Sequence, residues 1–329
     1  MINLGIVGAT GMVGRTFLKI MEERNFPIKN LYLFASHKSK GTVIEYNNKV
    51  YEVEALDVNS FNKDLDVLLF SAGGNISKKY APIAKDKGII VIDNSSYWRM
   101  ENWVPLVVPE VNFETIEKHH GIIANPNCST IQAVVPLKLL KDKYGLKRIV
   151  FSTYQAVSGS GVEGLKDLEK GIQLPYHNKY PYPIAYNVLP HIDDFLENGY
   201  TKEEIKMIEE TKKILDDNSI KITATTVRVP VKYGHSISAN IELKNKFHLE
   251  DIFKLFESSD SIKVLDDIKN NLYPMPLIAE GTDKIYIGRI RRDYSLENGL
   301  NIWIVADNIR KGAATNTIQI LELLLNRRH

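Results

Sequence analysis

The feature that most constrains the fold is a glycine-rich turn near the start of the chain, within the stretch "INLGIVGATGMVGRTFLKIMEE". An apolar strand precedes the turn, an amphipathic helix follows it, and Gly8, Gly11 and Gly14 have the spacing G-x-x-G-x-x-G. Such a turn lets backbone amides approach a pyrophosphate at a helix N-terminus, where the helix dipole favours anions. A helix start with incidental glycines is the alternative, but the strand-to-helix context favours a dinucleotide-binding fold.

Short apolar strands continue through the first half of the chain. The predicted strands lie in "LYLFAS", "DVLLFSAGG", "GIIVIDNSS", "PLVVPEV" and "GIIANPN", and helical stretches such as "NISKKYAPIAKDK" separate several of them. This alternation predicts an α/β fold, a Rossmann-type doubly wound sheet of mostly parallel strands. Ser71 directly follows one of these strands, at the edge where an open α/β sheet gathers its ligand.

The residues after "LYLFAS" bear on which dinucleotide would bind. NAD-specific folds usually place an acid there for the ribose hydroxyls, whereas this chain has "SHKSKG" and no acid before Glu45. An acid would repel a 2′-phosphate, while Ser36, Lys38 and Ser39 have groups that donate hydrogen bonds to one. A solvated turn would have a similar composition, but the residues favour NADP over NAD.

The second half of the chain has a different pattern. From about Arg148 the strands become longer and β-branched, in "KRIVFSTYQAVSG", "IKITATTVRVPV", "HSISANIEL", "KIYIGRIRRD" and "GLNIWIVADN". Helices come in blocks between them, which predicts an α+β domain built on a largely antiparallel sheet. A sheet face of this size commonly packs on its twin in a dimer. Helical spacing of Ile318, Leu321 and Leu324 predicts a last helix, which would return to the first domain.

Composition limits the class of partner. Lys and Arg number 42 against 40 Asp and Glu, and the charges are interspersed, so neither nucleic acid nor an anionic membrane is expected. A single cysteine excludes an intrachain disulfide and fits a reducing cytosol. The start of the chain lacks the basic region of a signal peptide, and the longest uncharged run, 121–137, is broken by polar residues. We therefore expect a cytoplasmic protein that acts on a small molecule without a metal.

That single cysteine, Cys128, lies in "IIANPNCSTIQAVVP" at a predicted helix start. Asn127 has a side chain suited to cap such a helix, and Pro126 and Pro136 would bound the segment. A thiol at a helix N-terminus gains thiolate character, and the free amides there stabilise an oxyanion on a bound carbonyl. A lone cysteine is also often a small buried hydrophobe.

A reactive thiol needs a base, and His235 differs from the other histidines because it follows Gly234 at a strand break. Any one histidine is more often a surface or core residue, so this position alone is weak evidence for a catalytic base. Arg228 lies an odd number of residues earlier, which places the two side chains on opposite faces of a straight strand. Pro230 and Gly234 would have to bend the strand for both to face one site.

Three other positions have polar side chains next to predicted strands or helices. Glu203 and Lys206 are spaced i, i+3 on a helix, which by itself predicts a surface ion pair. Gln155 ends a predicted strand, and Ser158 and Gly159 open the loop that follows it. Arg99 lies among aromatics in "SSYWRM", where simple packing is an alternative.

Six motifs in order, "GATGMVG", "FSAGG", "NPNCST", "QAVSGSG", "RVPVKYGHS" and "DNIRKGAATN", resemble the aspartate-semialdehyde dehydrogenase family across essentially the whole chain. That family makes aspartate 4-semialdehyde by NADPH-dependent reduction of 4-aspartyl phosphate through a cysteine acyl-thioester, on the route to lysine, threonine and methionine. The resemblance implies an NADP-binding domain of residues 1–127 plus 311–329. It also implies a catalytic and dimerisation domain of residues 128–310, in a homodimer or a dimer of dimers.

The resemblance also implies a role for each matched residue. Cys128 would be the nucleophile, His235 the acid/base, and Gln155 would orient the substrate. Arg228 would bind the α-carboxylate through its fork of donors, and Glu203 would hold the amine. The remaining substrate-binding residues would be Asn127 and, for the phosphate, Arg99 and Lys206.

For the cofactor, the resemblance implies a set that begins at the glycine turn and ends near the last strand. Many relatives have arginine at the position of Lys38, and lysine lacks the bidentate fork, which would weaken NADP preference. The cofactor-binding residues that the resemblance implies are Thr10, Gly11, Met12, Val13, Lys38, Ser39, Ser158, Gly159 and Asn308, the last at the nicotinamide end. The glycine pattern and the strand ends add Gly8, Gly14, Ser36 and Ser71.

Several alternatives remain open. N-acetyl-glutamyl-phosphate reductase runs the same chemistry, but its motif usually reads "PGC" where this chain has "PNC", and its acetylated amine would leave Glu203 without a charged partner. Archaeal acyl-CoA reductases and glyceraldehyde-phosphate dehydrogenase, with its "SCTTN", match less well. Short-chain reductases need Tyr-x-x-x-Lys, and no tyrosine here has lysine four residues on. A non-catalytic NADP-binding relative would not need Cys128, Gln155, Arg228 and His235 together.

Overall fold

The computed structural model describes residues 1–172 and 179–326. The chain divides into two compact units, one of Met1–Asn127 with Ala313–His329 and the other of Cys128–Gly312. Within the described residues, none of the helices is both long and apolar enough to cross a membrane.

The first unit contains a parallel sheet with helices. Its strands are β1 (Ile2–Val7), β2 (Ile28–Ala35), β3 (Val43–Tyr46), β4 (Lys49–Glu52), β5 (Glu54–Ala55), β6 (Val67–Phe70), β7 (Ile90–Asp93) and β8 (Ile122–Ala124). Its first helices are α1 (Met12–Glu23), α2 (Gly74–Asp86) and α3 (Pro109–Asn112). The strand order is β5-β2-β1-β6-β7-β8, all parallel, and β3 and β4 form a separate hairpin. Strands β1, β6 and β8 are buried along their length because helices cover parallel sheets on both faces.

The second unit contains a mixed, largely antiparallel sheet. Its strands are β9 (Leu146–Gln155), β10 (Lys221–Arg228), β11 (His235–Leu243), β12 (Ile262–Val264), β13 (Ile285–Asp293) and β14 (Gly299–Ala306). Its helices are α4 (Cys128–Tyr144), α5 (Val162–Glu169), α6 (Lys202–Leu215), α7 (Leu249–Glu257) and α8 (Pro276–Ala279). The order is β10-β9-β11-β14-β13-β12, with only the two outer pairs parallel. The predicted fold class is confirmed for both units.

A π-helical segment, Arg310–Thr315, leads into the last helix, α9 (Asn316–Asn326). Ile318, Ile320, Leu321 and Leu324 of this helix are buried in the same apolar cluster as β1 and α1. The chain therefore returns to the first unit, as the helical spacing of these residues predicts.

Two local predictions are wrong. Residues 105–111, expected as a strand, form a single bridge at Leu106 and then helix α3. Pro109 is the cause, because proline cannot donate to a sheet ladder and its fixed φ suits the first turn of a helix. Pro136 was expected to bound the segment of Cys128 but lies inside α4. Residues 129–137 of that helix are buried on all sides, and this packing outweighs the hydrogen bond lost at the proline.

The strand register of the second unit determines which side chains lie together. Arg228, at the end of β10, pairs with Gln155, at the end of β9. On the other side of β9, Ser236 pairs with Tyr154, so His235 begins β11 at the same end of the sheet. The expected bent strand is therefore wrong: Arg228 and His235 belong to different strands, which flank β9 and are joined by residues 229–234. Buried residues alternate along each strand and include all three side chains, so they share the helix-covered face.

Candidate active site

Cys128 is the first residue of α4, and its side chain is partly exposed. Asn127 precedes it at the cap position. The backbone approaches closely here, since a Cβ at Gly312 would lie 2.9 Å from the Cys128 Cβ. The dipole of a long buried helix favours a negative sulfur at its N-terminus. The thiol is therefore not enclosed in the packed core.

Gln155 is held through its amide nitrogen. Nε2 donates to the Ser129 hydroxyl, in the first turn of α4, and to Glu203 Oε1 at 3.1 Å. Because a carboxylate only accepts, the amide group must turn its nitrogen toward Glu203. Gln155 Oε1 is then buried with no hydrogen-bond partner in the described ranges. Ser129 was not singled out from the sequence, although it directly follows the cysteine.

Glu203 and Lys206 are not a simple surface pair. Glu203 is buried, and its Oε2 lies 3.2 Å from the Lys206 Nζ, which also contacts Asp193 Oδ2 at 2.6 Å. Burial raises the pKa of Asp193, but the hydrogen bond and charge of Lys206 and the charge of Lys202 outweigh it, so the pKa lies below its ordinary value. Asp193, in an irregular stretch with no periodic pattern, was missed from the sequence.

Arg228 and His235 contact the same residue, Ala156. Arg228 Nη1 donates to the Ala156 carbonyl at 2.6 Å, and the Ala156 N–H donates to His235 Nδ1 at 3.0 Å. Burial, then the Arg228 charge, hold the pKa of His235 well below its ordinary value. A Cβ at Gly159 would lie 3.0 Å from Arg228 Nη1 and 3.3 Å from His235 Nε2, so all three are neighbours. Arg228 Nε and His235 Nε2 are buried without a hydrogen-bond partner among the residues described.

Ser158 and Asn308 form a buried pair beside this cluster. Asn308 Oδ1 accepts from the Gly234 N–H at 2.9 Å, and the Asn308 amide lies 3.0 Å from the Ser158 hydroxyl. Asn308 therefore connects the residue before His235 to the loop after β9. Its polar atoms already have protein partners, which the sequence did not predict.

The glycine turn follows β1 as predicted. Gly8 has φ +87°, the left-handed region that side chains rarely adopt, and the Gly11 N–H donates to the Gly8 carbonyl at 3.0 Å. A Cβ at Gly14 would lie 2.4 Å from the same carbonyl, so α1 starts directly against the turn. Thr10, Met12 and Val13 are half-buried around it. Only glycine at positions 8 and 14 permits this approach.

Other residues predicted to bind the cofactor lie at the same edge of the sheet. β2 and β6 flank β1, and in a parallel sheet their carboxyl ends meet at one edge. Ser71 follows β6, and its hydroxyl lies 3.4 Å from the Val7 carbonyl. Ser36, exposed Lys38 and half-buried Ser39 follow β2 in a short 3₁₀ turn.

Arg99, also in the first unit, follows β7 and is buried. Its Nε donates to the Asn125 carbonyl at 3.0 Å and its Nη2 to the Asn94 carbonyl at 2.9 Å. The side chains of Asn94 and Asn125 are joined at 2.9 Å, and Asn125 Oδ1 accepts from Asn316 Nδ2 at 2.7 Å. Asn94 follows a predicted strand at the ligand edge of the sheet, but its bonds to the other asparagines were not predicted, because asparagines after strands are also typical of ordinary loops.

The structure thus brings the predicted residues together in two sets. In the second unit, the start of α4 at Cys128 lies beside Gln155, which adjoins Glu203, Arg228 and His235. In the first unit, the residues predicted to bind the cofactor gather at the carboxyl ends of β1, β2 and β6. The residues described contain no group of three or more His, Cys, Asp or Glu side chains that would hold a metal ion.

Two protein-family models match the chain. Residues 3–119 match the semialdehyde dehydrogenase NAD binding domain, and residues 137–311 match the semialdehyde dehydrogenase dimerisation domain. Among curated proteins, the aspartate-semialdehyde dehydrogenase of Aquifex aeolicus is 54% identical over 332 residues, covering 98% of each chain. That of Shewanella violacea is 48% identical, covering 98% of this chain and 97% of its own.

Solved structures agree with these matches. Aspartate semialdehyde dehydrogenase II from Vibrio cholerae complexed with ASA has a TM-score of 0.95 at 42% identity, covering 100% of this chain and 99% of that one. The enzyme from Candida albicans with NADP has a TM-score of 0.80 at 25% identity, with coverage of 100% and 99%. Similarity of this extent along both units shows that the chain belongs to the aspartate-semialdehyde dehydrogenase family.

Proposed function

We propose that this protein reduces 4-aspartyl phosphate to aspartate 4-semialdehyde with NADPH, reversibly, in the biosynthesis of lysine, threonine and methionine. The observation that carries the proposal is a set of three buried polar atoms without protein partners in the described ranges: Gln155 Oε1, Arg228 Nε and His235 Nε2. The three residues lie at the same end of the sheet, and Gln155 bonds to Ser129 next to Cys128. Buried polar atoms are rarely left unsatisfied, so three of them at this end of the sheet are typical of a substrate site.

The charges of the cluster match this substrate. Aspartyl phosphate has one cationic amine and two anionic groups, which would be met by Glu203 and by the cations of the site, while the second carboxylate of the cluster, Asp193, is paired with Lys206. In this proposal Glu203 holds the amine, Arg228 binds the α-carboxylate, and Lys206 and Arg99 bind the phosphate, with Asn127 beside the reacting carbon. Arg228 suits a carboxylate because its planar fork donates two parallel hydrogen bonds.

The chemistry is carried by the thiolate of Cys128. Its sulfur attacks the acyl carbon to form a C–S bond and a tetrahedral oxyanion, and as the carbonyl re-forms the C–O bond to phosphate breaks and phosphate leaves with the electron pair. Gln155 orients the acyl group at the sulfur, and His235 meets the charge that develops on the reacting oxygen. When bound, NADPH supplies the hydride that converts the thioester to the aldehyde.

For the cofactor, we propose NADP held by the first unit, with the pyrophosphate at the glycine turn. Glycine at positions 8 and 14 removes the side chains between the turn and the start of α1, which fits that group. The residues at this turn are Gly8, Thr10, Gly11, Met12, Val13 and Gly14, with Ser71 beside them. Ser158, Gly159 and Asn308 of the second unit would line the nicotinamide end.

Ser36, Lys38 and Ser39 would receive the 2′-phosphate. Replacing Lys38 by glutamate should raise the KM for NADP about 10-fold or more, since a charge-assisted hydrogen bond is replaced by repulsion. Lys40→Glu, an equal charge change on an exposed neighbour, is the control. Equal effects of the two substitutions would show that only general charge matters, and would remove Lys38 from the site.

We also propose a homodimer through the open face of the second sheet. Helices cover the face that carries Gln155, while the opposite face has exposed Tyr154 and half-buried Trp303, with Tyr273 beside them around a cavity of about 410 Å³. Tyr154→Asp should weaken self-association at least 10-fold in light scattering, since it buries a charge in the contact. Tyr294→Asp, at a side chain that is 93% exposed, is the control. An unchanged mass for Tyr154→Asp at all concentrations would reject this face.

The family-level function is tested by phosphate-dependent NADP reduction with aspartate semialdehyde. Turnover is expected for the unmodified protein and is expected to vanish in Cys128→Ser while NADP binding survives. Turnover only with the N-acetyl-glutamate analogue would favour the reductase alternative, and NADP binding without turnover would favour a non-catalytic relative. We place the protein in the cytoplasm, where its partly exposed thiol would stay reduced.

A further inference from the structure

We propose that Asp307 is a positioning residue of the active site, and that its buried carboxylate fixes the turn 307–312. This turn carries Asn308 and packs against Cys128. The inference deepens the proposed function and rests on it for the effect on catalysis. Asp307 directly follows β14, whose last residue pairs with His235 in the neighbouring strand. The turn therefore starts where the sheet reaches the site residues.

Both carboxylate oxygens of Asp307 accept hydrogen bonds from backbone N–H groups. Oδ1 accepts from Ile309 at 2.8 Å and from Arg310 at 2.9 Å, both within the turn. Oδ2 accepts from the Gly281 N–H at 2.8 Å, in the segment that follows α8. A carboxylate only accepts, so all three donors are satisfied by strong, charge-assisted bonds. One side chain therefore shapes the turn and also attaches it to a second segment.

A second charged pair joins the same two segments. The Arg310 guanidinium donates from Nε to Asp283 Oδ1 at 2.9 Å and from Nη2 to Asp283 Oδ2 at 3.3 Å. Such a bidentate pair fixes the geometry of both partners. Asp283 lies two residues after Gly281, so residues 281–283 hold the turn at two points. Two attachments determine the direction of the turn as well as its position.

The turn carries a residue that is predicted to line the cofactor. Asn308 follows Asp307 directly, so its placement depends on the conformation that the carboxylate fixes. Its Oδ1 accepts from the Gly234 N–H at 2.9 Å, and its amide nitrogen lies 3.0 Å from the Ser158 hydroxyl. The turn is thereby connected to the loop after β9 and to the residue before β11.

Gly312 closes the turn and borders the nucleophile. Its N–H donates to the Asp307 carbonyl at 2.9 Å, a bond that spans five residues at the start of the π-helical segment Arg310–Thr315. Such segments are rare and are frequent at functional sites. A Cβ at Gly312 would lie 2.9 Å from the Cys128 Cβ and 3.3 Å from its Cα, so the backbone of the turn packs directly against the first residue of α4. A shift of this backbone would displace the sulfur, and a misplacement of about 1 Å costs about 100-fold in rate.

Asp307→Asn keeps the size of the side chain but replaces one oxygen by an NH₂ group. Either the Gly281 N–H or the N–H groups of the turn then face another donor, which releases the turn on one side. The kcat/KM for aspartate semialdehyde should fall about 10-fold or more. The matched control is Asp267→Asn, because Asp267 also accepts from the N–H groups two and three residues further on, but in an exposed turn. Equal activity of the two variants would overturn the inference.

A double-mutant cycle with Gly312→Ala separates positioning from a general loss of stability. If Asp307 acts through the contact of Gly312 with Cys128, either substitution alone displaces the sulfur. The double variant should then have a kcat/KM within about threefold of the less active single variant. Losses that multiply would refute the inference. Should Asp307→Asn fold poorly, Asp283→Asn takes its place in the cycle, because it releases the other attachment at a side chain that is 30% exposed.

Alkylation of the thiol by iodoacetamide tests the inference without turnover. Cys128 is the single cysteine of the chain, so mass spectrometry of the intact protein reports on it alone. At a pH where the thiol is fully ionised, the rate depends on access to the sulfur. Release of the turn should therefore make Asp307→Asn react about threefold faster or more than Asp267→Asn.

Two results of this measurement would overturn the inference. One is a rate for Asp307→Asn that is equal to that of Asp267→Asn or below it. The other is a rate that rises with low concentrations of urea, because that dependence shows that the thiol reacts through unfolding. Absence of turnover by the unmodified protein, with the expected alkylation rates, would reject the proposed function and leave the positioning of Cys128 by Asp307 intact.

Discussion

Glu204, next to the proposed substrate ligand Glu203, should determine how firmly α6 is attached. Its Oε2 accepts from the Thr201 N–H at 2.7 Å, while the Thr201 hydroxyl accepts from the Glu204 N–H at 3.3 Å, which completes a capping box. Its Oε1 accepts from the Thr226 N–H at 3.0 Å, in β10. One buried carboxylate therefore caps a helix and connects it to the sheet.

Glu204→Gln keeps the shape of the side chain but replaces one acceptor by an NH₂ group. Either the Thr201 or the Thr226 N–H then faces another donor, inside the protein. The loss of one hydrogen bond to a charged group, plus an unsatisfied buried donor, should lower the free energy of unfolding by about 2–4 kcal/mol. The melting temperature should fall by roughly 5–15 °C.

Glu209→Gln on the same helix is the matched control. Its carboxylate contacts Lys212 at 3.0 Å with a side chain that is 43% exposed, so we expect a loss of a few tenths of a kcal/mol at most. Urea unfolding followed by circular dichroism measures both variants. A loss for Glu204→Gln within about 0.5 kcal/mol of that for Glu209→Gln would refute the reasoning. Since α6 carries Glu203, we also expect kcat/KM to fall for Glu204→Gln and not for the control.

Two further predictions concern the nucleophile and the buried histidine. Gly312→Ala should lower kcat/KM at least 10-fold, because the new Cβ would lie 2.9 Å from that of Cys128 and displace it. The control is Gly74→Ala, whose Cβ would lie 3.7 Å from Tyr97 and which should leave kcat/KM unchanged. Equal activity of the two variants would contradict the displacement of Cys128. Because the folded-state pKa of His235 is lowered, the unfolded chain takes up a proton first as the pH falls. Stability is therefore full above about pH 6.5 and decreases below it, by up to about 1.4 kcal/mol per pH unit. His235→Gln should remove this component from urea unfolding measured across that range, and an unchanged slope would contradict the assignment.

Local pattern was sufficient to predict most of the first unit. The glycine turn, the apolar strands after it and the helical spacing of the last segment are each determined by residues close in sequence. The errors lie where a tertiary or steric effect overrides pattern. Pro109 starts a helix inside an apolar run that resembles a strand, and Pro136 is retained in α4 because the surrounding core stabilises that helix.

The partners of the site residues could not be predicted, for a different reason. The contact that orients His235 comes from a backbone N–H, which every residue except proline carries, so the identity of Ala156 contains no signal. Ser129 and Asp193 belong to residue types that are common at helix starts and in loops. The position of Arg228 relative to His235 was also judged wrongly from the spacing within one strand, because the two residues lie on different strands and Arg228 pairs with Gln155 across the sheet.

The proposed site depends on strand register more than on any single motif. Gln155, Arg228 and His235 come from three strands, of which β9 and β10 run parallel and β11 runs in the opposite direction. Two of the residues therefore end their strands, and the third begins its own. A slip of one residue in any pairing would turn that side chain to the open face of the sheet. Residues far apart in sequence must be retained together for the site to form, which explains why each motif is modest alone and the ordered set is specific.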